Sequence, residues 1–235
     1  MKIKGSTALV TGANRGLGLA YAKALLAAGA RKVYAGARDP ATVTLAGVVP
    51  LKLDVTSAED LAAAVAACGD VDLVINNAGI IGADGLLSST GVDSLQSVME
   101  TNLYGVLAVS RAFAPVLASN GGGALVNMLS ALSWASLPDT SAYSVSKAAA
   151  WSLTNGLRNE LREQGTLVVG VHAGYIDTDM VKDVDSPKAR PEDIAQAVLA
   201  GIEAGDQEVL ADDTSRHVKA GLTQPHPLYL GAKPA

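Results

Sequence analysis

The chain has 235 residues, of which 49% are hydrophobic, and its formal net charge at pH 7 is −5. This length is typical of one α/β domain with a sizeable buried core. The negative charge and the lack of a basic run argue against a nucleic-acid-binding surface. Because Cys68 is the only cysteine, no intrachain disulfide can form.

The N-terminus leads directly into a predicted strand, so we expect no signal peptide or transit sequence. No apolar run reaches the roughly 18 residues that a membrane-spanning helix needs. We therefore expect a cytoplasmic protein that does not bind a membrane. We predict no metal site.

The first strand leads into a pattern that is typical of a phosphate-binding turn. Residues 6–11 form a short apolar, β-branched run, and Thr-Gly-Ala-Asn-Arg-Gly-Leu-Gly at 11–18 precedes a helix. Gly12, Gly16 and Gly18 allow a tight turn and a close approach of the backbone to an anion at the helix N-terminus. Three residues rather than one separate the first two glycines, and a tight turn without a ligand is the alternative.

Strands and helices alternate along the rest of the chain. Strands are predicted at 6–11, 32–37, 48–53, 71–76, 123–129, 167–172 and 208–210, and helices at 17–28, 58–68, 92–118, 141–163 and 191–204. This alternation predicts an α/β fold with a doubly wound parallel sheet of about seven strands and helices on both faces, in a single domain over 1–235.

Several candidate site residues follow directly after predicted strands. They are Gly12, Asp54, Asn77, Ser130 and Gly174. Ligands bind beyond the carboxyl ends of the strands in such a sheet. We therefore expect these residues to converge on one edge and to form a single active site.

Tyr143-Ser-Val-Ser-Lys147 places a tyrosine and a lysine on one face of a predicted helix. A free tyrosine titrates near pH 10, but a neighbouring cation favours the phenolate and lowers the pKa. Proton exchange with a substrate oxygen then becomes feasible. Each candidate also has a purely structural interpretation. Tyr143 would then be a core aromatic, Ser130 a strand-end cap, and Asn102, in the predicted helix 92–118, a helix-kink residue.

Together these motifs resemble the short-chain dehydrogenase/reductase family, in its single-domain branch. The family's Thr-Gly-x-x-x-Gly-x-Gly matches 11–18, its Asn-Asn-Ala-Gly matches 76–79, and its Asp-Val pair matches 54–55. The resemblance runs from about residue 5 to about residue 210. It implies a Rossmann-type fold, hydride transfer with a nicotinamide cofactor, and a homodimer or homotetramer.

The resemblance also implies roles for individual residues. Tyr143 would transfer the proton, Ser130 would donate a hydrogen bond to the substrate oxygen, and Lys147 would lower the tyrosine pKa and hold the nicotinamide ribose. Asn102 would position a water molecule that joins Lys147 to solvent. The residues implied to bind the cofactor are Gly12, Asn14, Arg15, Gly16, Leu17, Gly18, Arg38, Asp54, Val55, Asn77, Ala78, Gly79, Tyr143, Lys147, Ile176 and Thr178.

The segment after the sixth strand departs from the family pattern. Relatives carry Pro-Gly-x-x-x-Thr, whereas this chain has Ala173-Gly-Tyr-Ile-Asp-Thr178. Loss of the proline removes a fixed φ and restores a backbone N–H, so we expect a less rigid turn. The threonine that would hold the nicotinamide carboxamide remains.

The end of the second strand indicates which cofactor binds. Ala37 occupies the position where NAD-preferring relatives carry Asp, and Arg38 follows it. A guanidinium group suits the 2′-phosphate of NADP(H), and Arg15 adds a second cation. Asp39 would favour NAD(H), but it precedes Pro40 and is expected in a turn. We predict NADP(H).

Apolar residues of the loops after strands four to six are the candidate substrate pocket. They are Ile80, Ile81, Leu132, Trp134, Leu137, Tyr175, Met180 and Val181. No cation cluster is available for a second anion, so we expect a small apolar or aromatic carbonyl or alcohol.

The sequence therefore predicts an NADP(H)-dependent carbonyl reductase, or ketoreductase, that interconverts a ketone or aldehyde and an alcohol. The alternative is a non-catalytic NADP(H)-binding regulator that senses redox state. The presence of all four catalytic residue types argues against it. The C-terminal tail, about 213–235, is expected to pack at a subunit interface or to fray.

Overall fold

The computed structural model describes residues 1–82, 85–138 and 140–231. Within them, seven parallel strands form one sheet in the order β3-β2-β1-β4-β5-β6-β7. The strands are β1 Thr7–Thr11, β2 Lys32–Ala37, β3 Val49–Lys52, β4 Leu73–Asn76, β5 Ala124–Met128, β6 Leu167–His172 and β7 Glu208–Leu210. The strand order reverses at β1, where a doubly wound sheet opens a crevice. The predicted fold class is confirmed.

Helices cover both faces of the sheet. They are α1 Gly16–Ala27, α2 Ala58–Ala67, α3 Gly91–Met99, α4 Val106–Ser119, α5 Ser141–Glu160, α6 Pro191–Ala204 and α7 Asp213–Gly221. A π-helical turn, Glu100–Gly105, joins α3 to α4 inside the single helix that the sequence predicted. The sequence did not predict α7, which begins the segment treated as a tail, and the tail's residues 232–235 lie outside the described residues.

The core has two parts because strand side chains alternate between the two faces of the sheet. In β1, Ala8 and Val10 join a cluster with α1 and α6, whereas Leu9 joins a cluster with α2, α4 and α5. Cys68 belongs to the second cluster, and burial raises the pKa of its thiol to about 12. A thiol in that state is not a nucleophile at neutral pH.

A chain of buried hydrogen bonds fixes α5 to the sheet. Asn76 Nδ2 on β4 donates to Asn127 Oδ1 on β5 at 2.9 Å, and Asn127 Nδ2 donates to Thr154 Oγ1 on α5 at 3.0 Å. Such groups are costly to bury unless they are paired. They therefore fix the position of α5 relative to β4 and β5.

The described residues contain no helix that is both long enough and apolar enough to cross a membrane. In the same part of the chain, no three His, Cys, Asp or Glu side chains are grouped as metal ligands.

One carboxylate joins α7 to the turn after β6. Asp212 Oδ1 accepts from Ser215 N at 2.8 Å and caps α7, while its Oδ2 accepts from Gly174 N at 2.7 Å. Gly174 also packs closely on α7, since a Cβ there would lie 2.7 Å from Thr214 Cβ. This contact supplies a restraint on the turn that carries Ala173 in place of the family's proline.

We expect Asp212→Ala to lower the free energy of unfolding by about 1–2 kcal/mol, because it removes a helix cap and leaves the Gly174 N–H unpaired. Urea denaturation followed by circular dichroism measures this loss. Asp213→Ala is the matched control, since Asp213 is exposed and its pair with Arg216 contributes little. Equal losses in the two variants would contradict the anchoring role of Asp212.

Candidate active site

The carboxyl ends of the strands border a cleft of about 770 Å³. Every residue that the resemblance implied for the cofactor lines this cleft. So do Ser130 and all the candidate pocket residues except Trp134. Asn102 and Trp134 are thus the predicted site residues that the structure places outside the lining.

The glycine loop has the geometry of a phosphate cradle. Gly12 and Gly16 have φ of +65° and +53°, which is the left-handed region that favours glycine. At Gly18, a Cβ would lie 2.0 Å from the carbonyl oxygen of Gly12, so no other residue fits there. α1 begins after Arg15 without a side-chain cap, which leaves first-turn N–H groups available to an anion. The loop therefore fits a dinucleotide pyrophosphate.

The segment after β4 holds the glycine loop in place. Asn77 Nδ2 donates to the carbonyl oxygens of Thr11 and Gly12 at 2.9 Å and 3.3 Å. Thr11 Oγ1 in turn accepts from the backbone N–H groups of Asn77 and Ala78 at 3.0 Å and 2.9 Å. The side chain of Asn77 thus supports the loop.

Two exposed arginines and a short turn also line the cleft. Arg38 is exposed immediately after the buried Ala37 that ends β2. Asp39 accepts from Ala41 N at 3.0 Å and caps the short turn that begins at Pro40, as expected of a turn residue. Arg15 Nη1 lies 2.8 Å from Asp179 Oδ2 in an exposed ion pair.

Asn102 lies in the π-helical turn and is fully buried. Its Oδ1 accepts from Ile80 N at 2.9 Å, and its Nδ2 donates to Ile80 O at 2.8 Å and to Ser146 Oγ on α5 at 3.0 Å. The side chain therefore bridges the loop after β4 and α5. A water molecule between Asn102 and Lys147 stays a prediction.

Ser130 begins a tight turn at the end of β5. Its Oγ accepts from Leu132 N at 3.1 Å, and its own backbone N–H donates to Ser133 Oγ at 3.3 Å. The hydroxyl oxygen is thus held by the turn, while the hydroxyl hydrogen can still be donated into the cleft. Ser130 is therefore a strand-end cap whose hydroxyl hydrogen remains available to a group in the cleft.

Tyr143 and Lys147 lie one turn apart on α5, as the spacing predicted. Lys147 Nζ is 5.6 Å from the centre of the Tyr143 ring and donates to Met128 O at 2.8 Å. Burial raises the pKa of Tyr143 to about 12, while its interaction with Ser130 acts in the opposite direction. Burial lowers the pKa of Lys147 to about 8.

These values differ from the sequence-based expectation that Lys147 lowers the pKa of the phenol. The physical reason is that removing the phenolate from water outweighs the attraction of an ammonium group that is itself buried and directed at a backbone carbonyl. At neutral pH Tyr143 is therefore a neutral phenol, the form that donates a proton.

Trp134 lies outside the cleft lining because its ring stacks on His172, with centroids 3.8 Å apart and planes 17° apart. The cleft wall includes Thr214, Val218 and Leu228, which the sequence analysis missed. The start of α7 could have been found from Asp212 and Ser215, which have the spacing of a capping box. Nothing local indicates that α7 reaches the cleft.

We expect the Tyr143 phenol to ionise near pH 12 in the folded protein, about two units above a free tyrosine. Phenolate absorbance after a rapid pH jump, compared between the protein and Tyr143→Phe, isolates this group. Between pH 10 and 12 the native state then binds more protons than the unfolded state, so this group's contribution to stability falls as pH rises. A Tyr143-dependent signal below pH 10 would show instead that Lys147 dominates.

Comparisons with known proteins identify the family of this chain. Short chain dehydrogenase is the family that matches, over residues 6–189. The chain is 32% identical over 213 residues to an uncharacterized oxidoreductase of Staphylococcus haemolyticus, covering 84% of this chain and 91% of that protein. The chain is also similar to a crystal structure of a short chain dehydrogenase from Burkholderia cenocepacia J2315 in complex with NADP. The two share 40% sequence identity and superpose with a TM-score of 0.92, and the alignment covers 96% of this chain and 95% of that chain. With its glycine loop and its Ser130, Tyr143 and Lys147 on one cleft, this chain belongs to the short-chain dehydrogenase/reductase family of oxidoreductases.

Proposed function

We propose that this protein is an NADP(H)-dependent carbonyl reductase that interconverts a ketone or aldehyde and an alcohol by hydride transfer. The observation that carries the proposal is that Ser130, Tyr143 and Lys147 border the same cleft as the glycine loop. A proton donor, an oxyanion-type donor and a phosphate cradle are the groups that such a reaction needs.

The choice of NADP(H) is supported by the end of β2. Ala37 offers no carboxylate to bind a ribose hydroxyl, and Asp39 is engaged in its own turn. Arg38 is therefore the group beside the cleft that suits a 2′-phosphate. The related Burkholderia cenocepacia enzyme was crystallised with NADP.

When bound, NADPH would supply the hydride that adds to the carbonyl carbon, while the residues of this chain act on the carbonyl oxygen. The neutral Tyr143 phenol donates its proton to that oxygen, and Ser130 donates a hydrogen bond that stabilises the developing charge. Lys147, with a pKa of about 8, is mostly protonated at neutral pH and favours the phenolate that remains. The reverse reaction returns the proton to Tyr143.

The substrate side of the cleft is apolar. Its lining includes Ile80, Ile81, Leu132, Leu137, Met180, Val218 and Leu228. Among the described lining residues the cations are Arg15, Arg38 and Lys147, which already serve the cofactor or the catalytic group. The substrate is therefore a neutral carbonyl compound with an aliphatic or aromatic body.

A homodimer or homotetramer is part of the same proposal. Val92, Tyr104 and Val145 are exposed on the helical run from α3 to α4 and on α5. Apolar side chains on neighbouring helices are typical of an interface between copies of a chain.

We expect Tyr143→Phe to bind NADPH with near-normal affinity and to lose at least about a hundredfold in turnover, because the proton donor is gone. NADPH oxidation is followed by absorbance across aliphatic and aryl ketones, aldehydes and quinones. Tyr104→Phe is the matched control, since Tyr104 lies outside the cleft lining. Unchanged turnover in Tyr143→Phe would refute the mechanism. Tight NADPH binding with no turnover on any carbonyl would favour the regulator.

We expect Arg38→Ala to raise the NADPH KM about ten- to a hundredfold, because a charge-assisted contact of about 1.5–3 kcal/mol is lost. The NADH KM should change by less than about twofold, since NADH has no 2′-phosphate for this contact. Steady-state kinetics with both cofactors measures the ratio. Arg162→Ala is the control, because Arg162 is exposed, follows the end of α5 and donates to Asn159 of that helix. An equal rise for NADH would contradict the assignment.

A further inference from the structure

A buried histidine lies directly behind the turn that carries Ser130. His172 ends β6 and has no exposed surface. Its Nδ1 lies 2.9 Å from the carbonyl oxygen of Ser130. Because a carbonyl oxygen can only accept, the hydrogen is on Nδ1 and is donated to Ser130.

The same imidazole also holds the other end of that turn, which we call the serine turn, residues 130–134. The Trp134 ring stacks on His172 with centroids 3.8 Å apart. Trp134 also makes an edge-to-face contact with Trp151 of α5, with ring centroids 6.4 Å apart and an interplanar angle of 83°. One ring thus restrains both the start and the end of the serine turn.

The surroundings of His172 keep it neutral. Its Nε2 has no hydrogen-bond partner among the described residues, and Glu208 Oε1 lies 3.9 Å away. Burial lowers the pKa of His172 to about 4, and Lys219, Arg158 and Lys147 add to this, whereas the bond to Ser130 raises it. The imidazole is therefore uncharged at neutral pH and carries its one ring N–H hydrogen on Nδ1, where it is donated to Ser130.

We propose that His172 is a positioning residue that holds the serine turn, and through it the Ser130 hydroxyl, in the orientation that turnover needs. The link is direct, because Ser130 Oγ is held by Leu132 N inside the same turn. A displacement of this turn therefore displaces the hydroxyl relative to Tyr143. The inference rests on the proposed function, which gives Ser130 its role in the reaction.

Two substitutions separate hydrogen bonding from space filling. In His172→Asn, the amide nitrogen leaves Cγ where Nδ1 does and can still donate to Ser130 O. His172→Leu fills similar space without a donor. We expect His172→Leu to lower kcat about tenfold or more and His172→Asn to retain most of kcat. The Kd for NADPH, measured by fluorescence, should stay within about twofold of the wild-type value in both variants, since His172 does not line the cleft.

A second background distinguishes positioning from general damage. If His172 acts through the Ser130 hydroxyl, adding His172→Leu to Ser130→Ala should change the residual kcat by less than about twofold. A merely structural role would lower kcat equally in both backgrounds. Trp134→Leu removes the stacking on His172 and leaves the hydrogen bond to Ser130, so it should lower kcat less than His172→Leu does. It replaces His172→Leu as the test variant if His172→Leu does not fold.

The outcomes for the two proposals are distinguishable. Wild-type turnover in Ser130→Ala would refute the proposed mechanism itself. An impaired Ser130→Ala with a wild-type His172→Leu would overturn the positioning role alone. Equal loss in His172→Leu and His172→Asn would also overturn it, and so would a wild-type kcat in Trp134→Leu where His172→Leu does not fold.

Discussion

The position of α5 against the ends of β4 and β5 is the constraint on which the site depends. Three buried contacts fix it: Asn127 to Thr154, Asn102 to Ser146, and Lys147 to the carbonyl oxygen of Met128. Each spans two elements, so none is satisfied unless the helix lies at one height on the sheet. That height places Tyr143 beside Ser130 at the cleft. The residues that hold the helix thus include Lys147, to which the proposed mechanism gives a role.

The burial that accompanies this arrangement also determines the protonation states of Tyr143 and Lys147. Burial acts on Tyr143 and Lys147 in opposite directions, because it disfavours the charged form of each, raising one pKa to about 12 and lowering the other to about 8. At neutral pH, Tyr143 is therefore a neutral phenol, and the neighbouring Lys147 is a cation whose pKa lies only about one unit above the pH. In the proposed mechanism, a phenol in this state donates its proton readily only when the resulting phenolate gains a new partner, which would tie proton transfer to substrate binding.

The sequence predicted what depends on local pattern. Apolar runs between turn residues gave the seven strands, and glycines fixed by positive φ or close approach gave the phosphate cradle. What it missed depends on direction and on distant contacts. An aromatic residue after β5 can face the cleft or the sheet, and Trp134 faces His172. Periodicity likewise cannot show the extra residue per turn that places Asn102. The pKa of Tyr143 depends on burial that spacing does not reveal.

The turn after β6 shows how a long-range contact accompanies the loss of a local one. A proline restrains one φ wherever it stands, whereas Ala173 leaves the backbone free unless something else restrains it. Here Ala173 O accepts from Ala131 N at 2.9 Å, and the next N–H, of Gly174, donates to Asp212 at 2.7 Å. The turn that carries Ile176 and Thr178 is thus held between the serine turn and α7. Because α7 also supplies Thr214 and Val218 to the cleft wall, a change in the position of α7 would alter both this turn and the cleft.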